Sequence, residues 1–244
     1  MPCFVDQMYP RVAIAALTVL ERLGFAVDVP ESAVCCGQPA ANAGFARDGD
    51  AALARVADAY RGAERVIVLS GSCAAHVRAH AAGASPDGGA GARVAARTVE
   101  FAAFLHDEVG LEAVAALGAE FPRRVGLHIG CHGLRGLGLA RPTELQIPPF
   151  NKLRALLDTV RGLDVAELAR PDECCGFGGT FAVAQPALSA KIGRDRLRDY
   201  TTNGADAVVS TDMSCLLHLG GLAQRAGVAL PMLHVAEVLA ASAA

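Results

Sequence analysis

The stretch "AVVSTDMSCLLH" at residues 207–218 carries four features in order: an apolar run, a short polar segment, a cysteine, and a histidine three residues later. The stretch "RVIVLSGSCAAH" at residues 65–76 has the same order and ends in the same Ser-Cys-x-x-His pattern. A short β-branched run that ends in a polar loop predicts a buried strand that stops before the cysteine. Two copies of this pattern in one chain indicate a duplicated unit.

The remaining cysteines repeat in the same way. In each half a single cysteine comes first, the triplet Cys-Cys-Gly follows, and the cysteine of the strand pattern comes last. The first set is Cys3, Cys35, Cys36 and Cys73, and the second set is Cys131, Cys174, Cys175 and Cys215. We therefore predict two cysteine-rich repeats, one in residues 1–110 and one in residues 122–244.

The pattern around the cysteines predicts an α/β fold. Residues 10–24, 51–63 and 187–203 have helical patterns, and short apolar runs typical of strands lie at residues 25–29 and ahead of Cys73, Cys131 and Cys215. This alternation predicts two Rossmann-like lobes with parallel sheets, whose ligands gather outside the carboxyl ends of the strands, where the cysteines lie. Adjacent cysteines can face one centre only on a loop, and the following glycine permits the positive φ that such a loop needs.

The two repeats differ at their start. Residues Arg124–Gly130 predict a strand ahead of Cys131, whereas only Met1 and Pro2 precede Cys3. The first repeat is therefore expected to lack its opening strand, either because the natural start lies upstream or because this half keeps a frayed first ligand. We expect the second set of cysteines to bind its metal more completely, because ordering Cys3 costs conformational entropy.

Composition and charge exclude several classes of protein. The 244 residues are 52% hydrophobic, and the formal net charge is −3 with no basic stripe, which excludes a nucleic-acid partner. The most apolar helical stretch, Val12–Leu20, is too short to cross a bilayer, and no leader follows Met1, so we expect a cytoplasmic protein without membrane insertion. Eight cysteines in such a protein indicate metal or redox chemistry rather than a disulfide framework.

The number of cysteines in each set limits the chemistry, since four thiols are enough to close a zinc site or to hold an iron–sulfur cluster. No Cys-x-x-Cys pair is present, which counts against a zinc ribbon and a thioredoxin-like disulfide exchanger. The glycines of "GFGGTF", among them Gly176 and Gly178, either offer backbone N–H groups to cluster sulfides or form a tight turn. Three histidines near the cysteines are candidates for ligands, proton carriers or packing residues: His76, His132 and His218.

Several segments of the chain resemble one known family. They are "CFVDQMYPRVA" (3–13), "CCGQPAANAGF" (35–45), "SGSC" (70–73), "CCGFGGTFA" (174–182) and "TDMSC" (211–215). The chain resembles the cysteine-rich CCG proteins, above all the lactate-utilisation protein A group of (Fe-S)-binding oxidoreductase subunits. The resemblance implies a duplicated α/β fold with iron–sulfur clusters, of the [4Fe-4S] type, at both cysteine sets. It also implies that the chain acts in a complex with other iron–sulfur subunits, and that this complex oxidises L-lactate, or a related 2-hydroxy acid, to the 2-oxo acid.

One departure from the family pattern bears on the chemistry. In the related cysteine-rich chain of heterodisulfide reductase each set ends in Cys-x-x-Cys, whereas here Ser70 and Asp212 hold the first of those positions. The fifth cysteine is absent, which favours an ordinary four-thiolate centre. The alternatives are a docking scaffold stabilised by zinc or a cluster, and a thiol/disulfide redox subunit like that of the reductase. Because the sequence has no flavin or nicotinamide signature, we expect the chain alone not to oxidise lactate.

Overall fold

The computed structural model describes residues 2–30, 35–84 and 89–241, in which strands alternate with helices. The strands are β1 Val66–Val68, β2 Thr98–Glu100, β3 Arg124–His128, β4 Asp164–Val165, β5 Ala207–Ser210 and β6 Met232–His234. The α-helices are α1 Cys3–Met8, α2 Pro10–Arg22, α3 Gln38–Asn42, α4 Ala46–Ala59, α5 Gly71–Ala84, α6 Gly89–Arg97, α7 Phe101–Phe104, α8 Leu111–Ala115, α9 Lys152–Leu157, α10 Phe181–Ala184, α11 Pro186–Thr202, α12 Met213–Arg225 and α13 Val235–Ala240. Short π-helical turns lie at Leu105–Val109 and His132–Gly136.

The paired strands run parallel, which confirms the predicted α/β class. One sheet has the order β4-β3-β5-β6, and β1 pairs with β2 in a two-stranded sheet. The register of the central pair places Val125 opposite Ala207 and His128 opposite Ser210. Because parallel neighbours end at the same edge of a sheet, the segments that follow β3 and β5 meet there. These segments carry Cys131 and Cys215.

The main hydrophobic core surrounds the two central strands, whose Val125, Val208 and Val209 are fully buried. Helix α2, near the start of the chain, packs against α13 near its end, so Val12 and Leu239 belong to the same core. Burying one such side chain stabilises the fold by about 1.5–3 kcal/mol. A second apolar cluster lies among α4, α5 and α6. The main core thus draws on both repeats, and their division into residues 1–110 and 122–244 stays a prediction.

The prediction of a strand at residues 25–29 is wrong. This segment pairs with no strand in the described part of the chain, and Phe25, Val27 and Val29 are exposed. In the second repeat the equivalent strand is β4, which pairs with β3. No described strand pairs with this segment, so its backbone groups have no sheet partner in the described part of the chain.

The predicted helices form with shifts at their ends. The patterns at residues 10–24 and 187–203 form α2 and α11. The pattern at residues 51–63 forms α4, which begins earlier, at Ala46, so that the polar segment around Asp48 is helical. Asp48 lies in the first turn, where a negative charge is stabilised by the partial positive charge of the helix start.

The last cysteine of each set lies on a helix rather than at the end of a strand. Strand β1 ends at Val68 and strand β5 ends at Ser210, whereas Cys73 and Cys215 lie in the first turns of α5 and α12. The polar segments after the strands therefore already belong to the strand-to-helix connection. The cysteines still lie beyond the carboxyl ends of the strands.

Candidate metal centre

The second cysteine set is assembled from three connections of the four-stranded sheet. Cys131 follows β3, and Cys215 lies at the start of α12, after the neighbouring strand β5. Cys174 and Cys175 lie on the loop between β4 and α10, as predicted for adjacent cysteines that face one centre. Cys131 and Cys174 are exposed, whereas Cys175 and Cys215 are buried. The set therefore has a buried side and a side that is open to the surface.

The glycine of the second Cys-Cys-Gly triplet sets the course of this loop. Gly176 has a φ of 90°, and a Cβ atom there would lie 2.5 Å from the carbonyl oxygen of Ser189 on α11. The Ser189 hydroxyl donates to the Gly176 carbonyl at 2.7 Å. The backbone N–H of Gly176 donates to Cys174 Sγ at 3.3 Å, and that of Phe177 donates to Cys175 Sγ at 3.4 Å. The turn thus presents two amide donors to two adjacent sulfurs.

The first set repeats this arrangement. Gly37 has a φ of 85°, and a Cβ atom there would lie 2.4 Å from the carbonyl oxygen of Gly49 on α4. The backbone N–H groups of Gly37 and Gln38 hydrogen-bond to the two sulfurs ahead of them. In both sets the four side chains form a chain of hydrogen-bonded thiols: Cys3, Cys35, Cys36 and Cys73 in one, Cys131, Cys174, Cys175 and Cys215 in the other.

Within each set the pKa values of hydrogen-bonded thiols move in opposite directions. The Cys3 thiol donates a hydrogen bond that lowers the pKa of Cys35 well below its usual range, and the Cys131 thiol does the same for Cys174. The pKa of Cys175 is raised by its hydrogen bond to Cys174 and by burial. Deprotonating all four thiols would crowd negative charge into one place, which a bound cation relieves. The donor set and its amide partners therefore fit a thiolate-bound metal or cluster.

His128 adds a nitrogen to the buried side of the second set. One ring nitrogen of His128 and the sulfurs of Cys175 and Cys215 all lie within 4.8 Å of one another. Nδ1 is 3.0 Å from the Tyr200 hydroxyl, whereas the buried Nε2 has no hydrogen-bond partner among the described residues. Sequence reasoning missed this residue. Its signal is a histidine that ends an apolar strand three residues ahead of Cys131.

The histidines that follow the last cysteines differ in their contacts. His218 Nε2 lies 3.4 Å from the Ser189 hydroxyl, and its ring packs near Phe177, with ring centroids 5.8 Å apart. His76 is buried, and its Nε2 has no partner among the described residues. Gly49 holds the position against Gly37 that Ser189 holds against Gly176, so the hydroxyl that His218 contacts has no equivalent near His76. These contacts favour packing for His218.

The two cysteine sets are neighbours. Gln38, next to the first Cys-Cys-Gly triplet, contacts His132 at 3.2 Å between the side-chain Nε2 atoms. Ser70 and Asp212 form an isolated antiparallel bridge, and Asp212 Oδ2 accepts a hydrogen bond from the Ser72 N–H at 2.8 Å. The positions where the reductase chain carries its additional cysteines thus face each other here. Serine and aspartate at these positions tie the two repeats together.

The glycines after Gly176 form a tight turn. Gly178 and Gly179 have φ values of 57° and 62°, and their carbonyl groups accept hydrogen bonds from the N–H groups of Phe181 and Ala182 at 3.2 Å. A Cβ atom on Gly178 would lie 2.9 Å from the Phe181 Cβ. This geometry supports the turn interpretation for Gly178. Contact of Gly178 with a bound cofactor stays a prediction.

Comparison with known proteins agrees with this arrangement. Residues 1–78 and 125–220 match the model of the family described as CCG: Cysteine-rich domain. The chain is 37% identical over 240 residues to the lactate utilization protein A of Geobacillus thermodenitrificans (strain NG80-2), covering 97% of this chain and 95% of that protein. It is 36% identical, with the same coverage, to the lactate utilization protein A of Geobacillus kaustophilus (strain HTA426). It is 35% identical to the lactate utilization protein A 1 of Bacillus cereus (strain AH820), again with that coverage.

A helix must be both long and apolar to cross a membrane. In the described part of the chain, none of the helices combines the length and the apolar character needed to cross a membrane.

Proposed function

This chain belongs to the CCG cysteine-rich domain family, and we propose that it is an iron–sulfur electron-transfer subunit of a multi-component oxidoreductase. The substrate of the complex is L-lactate, or a related 2-hydroxy acid, which is oxidised to the 2-oxo acid. The observation that carries the proposal is the assembly of eight thiols into two neighbouring sets of four. The relatives named for lactate utilization support the choice of substrate.

Each set of four thiols would hold one cluster, of the [4Fe-4S] type. The ligands would be Cys3, Cys35, Cys36 and Cys73 in the first set and Cys131, Cys174, Cys175 and Cys215 in the second. The Ser70 hydroxyl is hydrogen-bonded to Ser72, and the Asp212 carboxylate accepts hydrogen bonds from Ser72 and Ser214, which supports four thiolates rather than five in each set. When bound, such a cluster accepts and releases single electrons.

The residues around the thiols suit an electron-transfer site. Amide groups of Gly176 and Phe177 donate to sulfur and offset its negative charge. Buried Cys175 and Cys215 keep water from one side, whereas exposed Cys131 and Cys174 bring the other side to the surface. A partner that docks on this open side would exchange electrons over a short distance.

The reaction also requires partner subunits. Oxidation of a 2-hydroxy acid releases an electron pair and two protons, and thiolate-bound clusters supply neither a hydride acceptor nor a proton acceptor. Two neighbouring one-electron sites can pass on that pair in single steps. We therefore expect the partners to carry further iron–sulfur clusters and the cofactor that reacts with the substrate.

A second candidate function is a zinc-stabilised docking scaffold. The observation in its favour is the compact spacing of His128, Cys175 and Cys215, whose ligand atoms lie within 4.8 Å of one another. Nitrogen and thiolate sulfur at such short separations suit a single tetrahedral zinc ion. In that case the metal would hold the repeats together for a partner without taking part in electron transfer.

Activity measurements on the chain with and without its partner subunits test the proposal. We expect no lactate oxidation by the chain alone, and loss of activity in the assembled complex when Cys174 is replaced by serine. Val183→Ser is the matched control, because Val183 lies on α10, the helix that follows the cysteine loop, and is 83% exposed. Assembly of both variants is followed by size-exclusion chromatography. Turnover of lactate by the isolated chain, unaffected by Cys174→Ser, would contradict the proposal.

A further inference from the structure

The buried imidazole of His128 has one nitrogen that the fold leaves free beside the second cysteine set. Nδ1 contacts Tyr200, and Nε2 has no hydrogen-bond partner among the described residues although His128 is only 1% exposed. We propose that His128 donates a hydrogen bond from Nε2–H to a sulfur of the centre held by Cys175 and Cys215. This inference rests on the proposed four-thiolate centre.

A buried nitrogen without a hydrogen-bond partner, such as His128 Nε2, destabilises the folded protein. Leaving a buried polar atom without a partner costs about 1–3 kcal/mol. One ring nitrogen of His128 lies within 4.8 Å of the sulfurs of Cys175 and Cys215, and Cys174 also acts on the ring electrostatically. A sulfur that carries negative charge can accept a hydrogen bond from a buried N–H group, and the charge strengthens that bond. A metal or cluster bound at the second cysteine set would thus give His128 Nε2 the hydrogen-bond partner that the protein alone does not provide.

The neighbouring phenol determines which nitrogen carries the proton. The Tyr200 hydroxyl accepts a hydrogen bond from Arg196 Nε at 2.9 Å. Its own hydrogen can go to His128 Nδ1 at 3.0 Å or to the Leu127 carbonyl at 3.3 Å. The Leu127 carbonyl already accepts a hydrogen bond from Arg196 Nη2 at 3.0 Å. Donation to Nδ1 therefore satisfies more groups, and it places the imidazole proton on Nε2.

Arg196 makes this arrangement rigid. It is fully buried and paired with Asp199 at 2.9 Å, and it also donates to the carbonyl groups of Arg170 and Pro171, just ahead of the cysteine loop. A guanidinium group can only donate hydrogen bonds, so the Tyr200 oxygen must be the acceptor in their contact.

A hydrogen bond to sulfur changes the properties of a redox centre. Such a bond stabilises the more negative, reduced state and makes the reduction potential less negative. His128 is thus a positioning and tuning residue, and Tyr200 and Arg196 act through it. The exposed side of the centre is left for electron exchange.

Three variants of the full chain, purified without oxygen, separate tuning from packing. His128→Leu removes the donor and fills similar space, His128→Gln offers an amide N–H near the Nε2 position, and Tyr200→Phe removes the donor to Nδ1. At a fixed potential we expect about tenfold less reduced centre in His128→Leu, which corresponds to about 59 mV for one electron. His128→Gln should recover most of this shift, and Tyr200→Phe should lie between. Equal shifts in His128→Leu and His128→Gln would overturn the proposal.

A second measurement does not depend on iron. Nitrogen NMR of the zinc-loaded chain, labelled with ¹⁵N-histidine, reports the tautomer of His128. A proton on Nε2, lost from that position in Tyr200→Phe, is the expected result. A proton on Nδ1, or direct binding of Nε2 to the metal, would overturn the inference. Absence of iron from the purified chain would instead refute the proposed function and leave the tautomer result to stand by itself.

Discussion

Replacing Gly176 by alanine tests whether the glycine of the Cys-Cys-Gly triplet builds the second centre. At a φ of 90° an alanine is strained by about 1–2 kcal/mol. Its Cβ would also lie 2.5 Å from the Ser189 carbonyl oxygen and 3.0 Å from the Gly193 nitrogen. Overpacking of this kind costs about 1–3 kcal/mol, so we expect a total loss of about 2–5 kcal/mol in the free energy of unfolding. The cysteine loop must move away from α11.

The matched control is Gly44→Ala. Gly44 also has a φ of 90°, but a Cβ there would meet no atom within 4 Å, so this variant shows the strain alone. Denaturant unfolding and the iron content per chain are measured anaerobically for both variants. We expect Gly176→Ala to lose the metal of the second centre, about half of the total, and Gly44→Ala to keep it. The reasoning is refuted if the two variants match in stability and in iron content.

Three further predictions concern other parts of the chain. Burial raises the pKa of Glu100 to about 8 from 4.5, so its contribution to stability is present at pH 4.5 and lost as the pH rises toward 8. Between these pH values the free energy of unfolding should fall by about 1.4 kcal/mol per pH unit, and Glu100→Gln should remove this pH dependence. An unchanged pH dependence of denaturation between pH 5 and 8 in Glu100→Gln would contradict the prediction. Cys131→Ser should lower bound iron more than Cys3→Ser, and the reverse order would contradict the ranking of the sites. Arg196→Met should destabilise by about 3–5 kcal/mol in urea, since it removes the cationic partner of the buried Asp199, and a loss below 1 kcal/mol would contradict that role.

The repeated cysteine pattern was sufficient to predict the parallel α/β architecture, whereas metal binding by the two cysteine sets stays a prediction. Gly37 and Gly176 have the positive φ that was predicted from their place after two adjacent cysteines. These features depend on residues that are close together in the chain, so they can be predicted from the sequence. The sequence also predicts that cysteines which follow parallel strands lie near one another, because the segments after such strands meet at one edge of the sheet.

The features that were missed depend on distant partners. The segment 25–29 is mostly apolar and contains two β-branched valines, as a strand often does, yet a strand forms only where a neighbour offers hydrogen bonds. His128 precedes Cys131 by three residues, but its role follows from Tyr200 and Arg196, which lie on α11. The contact between Ser70 and Asp212 likewise joins residues from both repeats. Such relations appear only when the chain is folded.

The most direct test of the central claim is to measure iron, sulfide and the electron paramagnetic resonance spectrum on the same anaerobically purified chain. Four-thiolate clusters in both sets predict about eight iron and eight sulfide per chain, with a signal that appears on reduction. Loss of about half of the iron in Cys174→Ser would assign one cluster to the second set. A colourless chain that contains zinc, has no sulfide and gives no signal on reduction would contradict the claim.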